Sequence, residues 1–413
     1  MRRAIVVVLD SMGVGAAADA DLYRDRGADT FGHIVEACAA GRANSERRAG
    51  PLTIPHLTEL GLTEAAQAAR GAPLPVARPA SLTGRFGHAA ERSRGKDTPS
   101  GHWEMMGLPV EFDWGYFPDT QPCFPKELTD ALIERGAIGG VLGNRHASGT
   151  QIIAELGEEH LRTQQPIVYT SGDSVLQIAA HEEHFGLQRL YALCQVAREL
   201  VDAYRIARVI ARPFVGDATG GFVRTGNRRD LATPPPGPTL LDVLQAAGGE
   251  VVCIGKVADI FAHRGVTRTI KAHGNRAVME QLLEALRGAP DRSLLFANCV
   301  DFDTNFGHRR DVSGYAGALE EFDGYVPQLR AAMQPDDVGI ITADHGCDPT
   351  FPGSDHTREY VPILAFGGSV VPGSIGGRAS FADIGQSLAG HLGLPALNAG
   401  TSFLQIPRPR GPV

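Results

Sequence analysis

The chain has 413 residues, of which 43% are apolar and 21% are charged, and its formal net charge is −8 at pH 7. This composition is typical of a soluble globular enzyme with two domains, and the negative charge argues against a general affinity for nucleic acid. No apolar run approaches the roughly eighteen residues of a membrane span, and the six scattered cysteines predict reduced thiols in a cytoplasmic protein.

Short apolar runs alternate with helical patterns at both ends of the chain, which predicts an α/β core with a doubly wound, mostly parallel sheet. A helix over about 239–247 is expected to lead into one of the strands. The predicted core strands are 4–9, 251–255, 294–300, 338–342 and 361–366.

Two positions in the chain predict hinges. A proline cluster at 234–238 is the clearest linker signal, and a second hinge is expected near 111–116. Residues 1–114 and 236–413 would then form the core, and residues 115–235 would form an inserted, smaller α/β cap domain.

Acidic and imidazole side chains follow three of the predicted strands. The carboxyl ends of such strands face the crevice where open α/β sheets bind ligands, so these side chains are expected to converge. Six ligands exceed the needs of one tetrahedral ion, which favours two divalent ions in one cleft. The alternative is an ordinary turn, with Asp344 as a helix cap and the histidines on the surface. The six candidates are Asp10, Asp303, His308, Asp344, His345 and His356.

The segment 95–104 contains a candidate nucleophile, Thr98, directly before Pro99. A hydroxyl at the start of a helix has backbone N–H groups nearby that can hold a phosphoryl oxygen, and a divalent ion can deprotonate it near neutral pH. The alternative makes Thr98 or Ser100 an ordinary N-cap, with Glu104 and Lys96 as solvated neighbours.

Six blocks of the chain together resemble the phosphopentomutase family of the alkaline phosphatase superfamily. The blocks around 97–104 and 303–311 resemble the mutases specifically, whereas the other metal motifs alone would indicate only the superfamily. The resemblance implies an alkaline-phosphatase-like core with an inserted cap. The blocks are 9–15, 95–104, 169–178, 209–216, 301–311 and 343–359.

The resemblance also implies roles for the candidate metal ligands and for Thr98. Thr98 would carry the phosphoryl group and, when free, would touch the second of two Mn²⁺ ions. The first ion would be held by Asp303, His308 and His356, and the second by Asp10, Asp344 and His345.

Further residues would bind the substrate if the resemblance holds. The ribose would lie against Ser171, Asp173 and Val175, and its distal phosphate against Arg212 and Arg228. Lys256 would be a further contact to a phosphate or an intermediate. The chain departs from the family at Arg229, where histidine is more common, and at Gly172, where alanine is usual; the stretch 41–80 also looks reshaped.

The implied activity interconverts the 1- and 5-phosphates of ribose or deoxyribose through a phosphothreonine and a 1,5-bisphosphate. A sugar bisphosphate such as glucose 1,6-bisphosphate would prime Thr98, and the cap would close over the small substrate and exclude water. Two alternatives within the superfamily stay open, a metal phosphatase and a phosphoglycerate mutase, although the latter enzymes use serine. A non-catalytic binding protein would need a defective ligand, and all six candidates are present. The oligomeric state is left open.

Overall fold

The computed structural model describes residues 2–171 and 174–404, which form two compact units. Unit 1 consists of the residues up to Phe112 together with those from Pro235 onwards, and unit 2 is Asp113–Pro234. The boundaries expected from the sequence, 115 and 235, lie two residues and one residue from those of unit 2. The function of this unit as a cap stays a prediction.

The strands and helices alternate along much of the chain. In chain order the strands are β1 (Ala4–Leu9), β2 (Arg85–Ala89), β3 (Leu142–His146), β4 (Ile167–Thr170), β5 (Val175–His181), β6 (Arg208–Asp217), β7 (Gly221–Arg224), β8 (Arg229–Ala232), β9 (Glu250–Ile254), β10 (Arg268–Ile270), β11 (Ser293–Cys299), β12 (Val338–Thr342), β13 (Val361–Phe366) and β14 (Gly373–Arg378). The α-helices are α1 (Thr30–Ala39), α2 (Pro55–Leu60), α3 (Leu62–Arg70), α4 (Thr98–Met105), α5 (Lys126–Gly136), α6 (Gly149–Thr163), α7 (Leu187–Val201), α8 (Leu240–Ala246), α9 (Val257–Ile260), α10 (Asn275–Gly288), α11 (Val312–Asp323), α12 (Val326–Ala332) and α13 (Ala382–His391). Short 3₁₀ segments lie at Ala20–Tyr23 and Asp202–Tyr204, and π-helical turns at Glu182–Gly186 and Phe302–Gly307.

Unit 1 is built on an eight-stranded sheet with the order β10-β9-β11-β1-β12-β13-β2-β14. β1 lies between β11 and β12 and pairs with both in parallel, whereas β13 is antiparallel to its neighbours. Every residue of β1, β11 and β12 is buried, as expected for strands whose two faces are both covered. The predicted α/β core with a mostly parallel sheet is therefore confirmed.

Local sequence explains where the predicted helix at 239–247 begins. Helix α8 starts after Thr239, which forms a capping box with Asp242. The helix leads into β9, one of the parallel strands of unit 1.

Unit 2 has a mixed sheet in the order β3-β4-β5-β6-β7, with β8 paired to β6. Alternate residues of β4 enter two separate apolar clusters, because successive side chains of a strand point to opposite faces. Val168 packs with α5 and α7 residues such as Leu132 and Leu193, and Tyr169 packs with Ile152 of α6. Unit 2 therefore has its own apolar core on each face of its sheet.

All six cysteines are buried and unpaired, as predicted. Within the described part of the chain, no helix combines the length and the apolar character that crossing a membrane requires. A cytoplasmic location stays a prediction.

Candidate active site

Three neighbouring strands of unit 1 bring the candidate ligands together. Because β11, β1 and β12 are adjacent and parallel, their carboxyl ends lie at one edge of the sheet. Asp10 directly follows β1, Asp344 lies just beyond β12, and Asp303 lies in the π-helical turn that follows β11. The convergence expected from the sequence is thus explained by strand order.

The first ligand group surrounds His345. Its Nε2 atom lies 3.5 Å from Asp10 Oδ1 and 3.4 Å from Asp344 Oδ2. All three side chains are fully buried.

The second group surrounds Asp303. His308 Nε2 lies 3.3 Å from Asp303 Oδ2, and His356 Nε2 lies 3.4 Å from Asp303 Oδ1. The two Nε2 atoms are 3.1 Å apart. The His356 ring also stacks on His345 at 3.8 Å, so the two groups form one continuous cluster.

Hydrogen bonds at the outer ring nitrogens orient the three histidines. Each Nδ1 atom faces a backbone carbonyl: His308 faces Ser354 at 2.6 Å, His345 faces Gly346 at 3.1 Å and His356 faces Lys96 at 2.8 Å. A carbonyl only accepts, so Nδ1 carries the proton and the Nε2 lone pair is left for the cluster, as in metal-ligating histidines.

Unpaired carboxylate oxygens show that these residues suit a cation. Asp10 Oδ1, Asp303 Oδ1 and Asp344 Oδ2 are buried and accept no hydrogen bond from the described residues. Buried polar atoms are nearly always paired, so such orphans need a partner of another kind. Carboxylate oxygen with imidazole nitrogen is a donor set for divalent metal ions, and the cluster therefore indicates divalent metal use.

The pKa values of the cluster show its concentrated negative charge. Burial raises the pKa of Asp10 well above 3.8, and the charges of Asp344 and Asp303 raise it further. Burial also acts to raise the pKa of Asp303, but the neighbouring imidazoles of His308 and His356 outweigh it and lower the pKa. The hydrogen bond to Asp303 raises the pKa of His308 to about 11. The raised pKa values of Asp10 and His308 favour bound protons where cations are absent, and a bound cation would take the place of these protons.

Thr98 is the first residue of α4, and its hydroxyl lies beside the cluster. Thr98 Oγ1 is 3.2 Å from His345 Nε2, and since that nitrogen holds a lone pair, the hydroxyl donates. The N-cap is Asp97, whose side chain accepts from Ser100 N at 3.1 Å. The alternative that made Thr98 or Ser100 the N-cap is therefore wrong.

The expectation that helix amides hold a phosphoryl oxygen at Thr98 stays a prediction, but two of the amides at this helix start are already paired. Ser100 N–H is taken by the Asp97 side chain and Gly101 N–H by the Asp97 carbonyl. Pro99 has no N–H to offer.

Glu104 is not a solvated neighbour, as the same alternative had it. Its side chain is completely buried at the end of α4 and accepts five hydrogen bonds. The donors are Arg92 N, Ser93 N, Ser93 Oγ, Ser380 Oγ and Phe381 N.

The predicted substrate residues are divided between the two units. Lys256, in unit 1, is exposed, and its positive charge acts to lower the pKa of Asp10. Ser171 is half-buried in unit 2, whereas Asp173 lies outside the described residues, as does Gly172. The side chain of Val175 is buried at the start of β5, so a sugar would meet its backbone.

The predicted phosphate-binding arginines belong to unit 2. Arg212 is half-buried, and its Nε donates to Gln177 Oε1 at 2.5 Å. Arg228 pairs with both oxygens of Asp230 at 2.7 and 2.6 Å. The neighbouring Arg229 lies 3.8 Å over the ring of Tyr191.

Comparison with known proteins identifies the family. A model of the metalloenzyme superfamily matches residues 2–396. Phosphopentomutases of Chelativorans sp. (strain BNC1) and Legionella pneumophila (strain Paris) are each 59% identical to this chain. The first match covers 98% of this chain and 98% of the relative. The second covers 97% of this chain and 99% of the relative. The phosphopentomutase of Methylobacterium sp. (strain 4-46) is also 59% identical, over 98% of this chain and its own entire length. The chain belongs to the phosphopentomutase family. It is therefore an isomerase, as the motifs implied.

Among solved structures, alkaline phosphatase from the Antarctic bacterium TAB5 matches 95% of this chain and 98% of its own. The TM-score is 0.38 and the sequence identity is 10%.

Several residues that shape this phosphopentomutase-family site escaped sequence reasoning. Asn298 Nδ2 donates to Asp10 Oδ2 at 2.9 Å, and Ser11 N donates to Asp344 Oδ1 at 3.0 Å. A signal existed for both, because each adjoins a strand end that bears a ligand.

Arg358 was missed as well, although it lies inside a quoted motif. It is buried, and its guanidinium donates to the carbonyls of Ser93 at 2.9 Å and Gly95 at 2.5 Å and to Glu91 Oε2 at 2.6 Å. It thus holds the segment that precedes α4. The sequence offers no sign of these contacts.

Proposed function

We propose that this chain interconverts ribose 1-phosphate and ribose 5-phosphate, and their 2-deoxy forms, through a phosphorylated Thr98 and a 1,5-bisphosphate. The names of the relatives support the overall reaction. The observation that carries the assignment of the nucleophile is the 3.2 Å distance between Thr98 Oγ1 and His345 Nε2. It puts the hydroxyl at a cluster that suits cations.

Two divalent ions, when bound, would neutralise the phosphoryl oxygens as charge develops on them. The orphaned carboxylate oxygens and the oriented Nε2 atoms support a ligand role for all six side chains. Mn²⁺ is the ion expected from the resemblance. The two proposed sets are Asp303, His308 and His356, and Asp10, Asp344 and His345.

The proposed reaction moves the phosphoryl group twice. In the first transfer, the anomeric oxygen of the 5-phosphate bonds to phosphorus, the bond from phosphorus to Thr98 Oγ1 breaks, and the anomeric proton passes in net to Thr98 Oγ1. The bisphosphate then turns round, and Thr98 Oγ1 bonds to the phosphorus of the 5-phosphate while the bond from that phosphorus to the oxygen on C5 breaks; the Thr98 proton passes in net to the C5 oxygen, which leaves the 1-phosphate. Asp97 supports both transfers, because its cap defines where α4 starts and so where Thr98 lies.

The substrate contacts are part of the proposal. Arg212 and Arg228 would hold the distal phosphate, because guanidinium groups bind phosphate in a bidentate manner. The ribose would meet Ser171, Asp173 and the backbone of Val175. Lys256 would contact a phosphate of the substrate or of the bisphosphate. Glucose 1,6-bisphosphate would phosphorylate Thr98 to start the cycle.

The test is conversion of ribose 1-phosphate to ribose 5-phosphate by the full chain, with and without Mn²⁺ and glucose 1,6-bisphosphate. Thr98→Ala is expected to abolish conversion while Mn²⁺ binding is retained. Thr98→Ser is the matched control, since it keeps a hydroxyl and is expected to keep measurable turnover. Turnover by Thr98→Ala would overturn the nucleophile. Free phosphate that appears faster than ribose 5-phosphate would indicate a phosphatase instead.

A further inference from the structure

His102 lies on α4, one turn after the proposed nucleophile, and is fully buried. Its Nδ1 atom is 2.9 Å from the carbonyl oxygen of Thr98 and 3.2 Å from Asp344 Oδ2. One ring nitrogen thus touches both the backbone of the nucleophile and a carboxylate of the metal cluster.

The contacts of His102 determine which nitrogen carries the proton. Both neighbours of Nδ1 are oxygens that only accept, so Nδ1 must be the N–H donor. The other nitrogen, Nε2, is buried and has no hydrogen-bond partner among the described residues. An N–H group there would be an unpaired buried donor, which is costly. The ring also stacks on Phe296, with centroids 5.6 Å apart, which holds its plane.

The surrounding backbone makes this contact close and specific. A Cβ atom at Gly101 would lie only 2.2 Å from the carbonyl oxygen of Asp344, so α4 rests directly on the backbone of that residue. Asp344 Oδ1 already accepts from Ser11 N at 3.0 Å, which leaves Oδ2 facing His102 and His345. The orientation of this carboxylate is therefore set from two sides.

We propose that His102 is a positioning residue whose Nδ1–H donates to Thr98 O and lies against Asp344 Oδ2, and which thereby holds the hydroxyl of Thr98 in register with the metal cluster. His102 acts through Thr98 and Asp344 and does not itself touch the substrate. The inference rests on the proposed role of Thr98 as the nucleophile.

Two variants of similar size separate the two ring nitrogens. In His102→Asn the side-chain amide takes the place of Nδ1, and in His102→Gln it takes the place of Nε2. We expect His102→Asn to keep kcat within about threefold, whereas His102→Gln and His102→Ala lose about 10- to 100-fold, the usual effect of removing a partner of a metal ligand. KM should stay within about twofold in all three, because binding of the sugar is not what His102 supports.

The comparison is made well below the thermal midpoint of each variant, so that folding does not limit activity. A His102→Asn enzyme as slow as His102→Gln, with both folded, would overturn the proposal, and so would full activity of His102→Gln.

A second measurement needs no variant and no turnover. Neutron diffraction from crystals of the unmodified chain locates the ring proton of His102 directly. A proton on Nδ1, directed at Thr98 O, supports the proposal, and a proton on Nε2 alone overturns it. If Thr98→Ala stays active, the proposed function fails, whereas an inactive Thr98→Ala together with a failed His102 series overturns only this inference.

Discussion

The absence of a side chain at position 101 allows α4 to lie against the backbone of Asp344. The Cβ of any other residue would come within 2.2 Å of the Asp344 carbonyl oxygen, a distance that requires backbone movement. The neighbouring contacts of Thr98 and His102 with the cluster depend on this approach. Glycine is thus needed here for its lack of volume, since it lies in an ordinary helix.

Gly101→Ala is predicted to displace α4 from the metal cluster. We expect it to destabilise the fold by about 1–3 kcal/mol, the usual range for overpacking, and to reduce turnover because Thr98 moves. Gly288→Ala is the matched control, since Gly288 ends α10 with open space around it, and we expect its effect to stay within about 1 kcal/mol. Urea unfolding measures the stability of the two variants, and the mutase assay measures their turnover. Equal losses of stability and turnover in Gly101→Ala and Gly288→Ala would contradict the steric argument.

At the scale of elements, α4 is held at both ends by polar side chains. Asp97 caps its start, and Glu104 near its end accepts hydrogen bonds from the segment before α4 and from the residues just before α13. Arg358 holds the same preceding segment through Ser93 and Gly95. A short helix of eight residues has little stability of its own, so these contacts position it.

Glu104→Gln is predicted to loosen this anchor. An amide nitrogen in place of one carboxylate oxygen would face N–H and O–H donors, and loss of bonds to a buried charge costs about 1.5–3 kcal/mol each. We expect a loss of roughly 2–4 kcal/mol in the free energy of unfolding, together with slower turnover.

Glu284→Gln serves as the comparison for this prediction, because Glu284 is an exposed partner of Arg287 on α10. Its effect should be within about 1 kcal/mol, as for most surface ion pairs. Denaturant titration of the two variants at one pH gives the difference between their free energies of unfolding. If Glu104→Gln is no less stable than Glu284→Gln, the five hydrogen bonds do not anchor α4.

At the scale of the whole molecule, bound cations are expected to stabilise unit 1, because its buried carboxylates otherwise repel one another. Removal of the ions by a chelator is predicted to lower the thermal midpoint by about 11 °C, taking roughly 2.7 kcal/mol for each of two ions at 100 times its Kd and about 2 °C per kcal/mol. Calorimetry before and after addition of Mn²⁺ measures the shift.

The pH dependence of this effect follows from the raised pKa of Asp10. A carboxyl whose folded pKa exceeds its unfolded value binds a proton more tightly when folded, so the ion-free protein loses stability as pH rises between the two values. The difference between metal-loaded and ion-free midpoints should therefore widen with pH. Asp10→Asn is expected to make this difference between the two midpoints smaller. A thermal midpoint that no chelator lowers at any pH would contradict ion binding.

The sequence predicts most of the sheet and all of the candidate ligands. Apolar β-branched runs predict buried parallel strands, and the ends of adjacent parallel strands meet at one edge, so Asp10, Asp303 and Asp344 were expected to lie together. The structure also places the thiol of Cys347 within 4.8 Å of the potential ligand atoms of Asp303 and His308. That contact depends on how the loops after β11 and β12 pack against each other.

The sequence by itself determined the donor types and their place after buried strands, because both follow from local patterns of apolar and polar residues. Only the tertiary structure decided that the Thr98 hydroxyl lies beside His345 and that His102 meets Asp344, because these depend on contacts between segments far apart in the chain. Thr98 and His345, for example, are 247 positions apart and yet 3.2 Å from each other. Periodicity within one segment carries no information about such distances, which follow from how the separate elements pack.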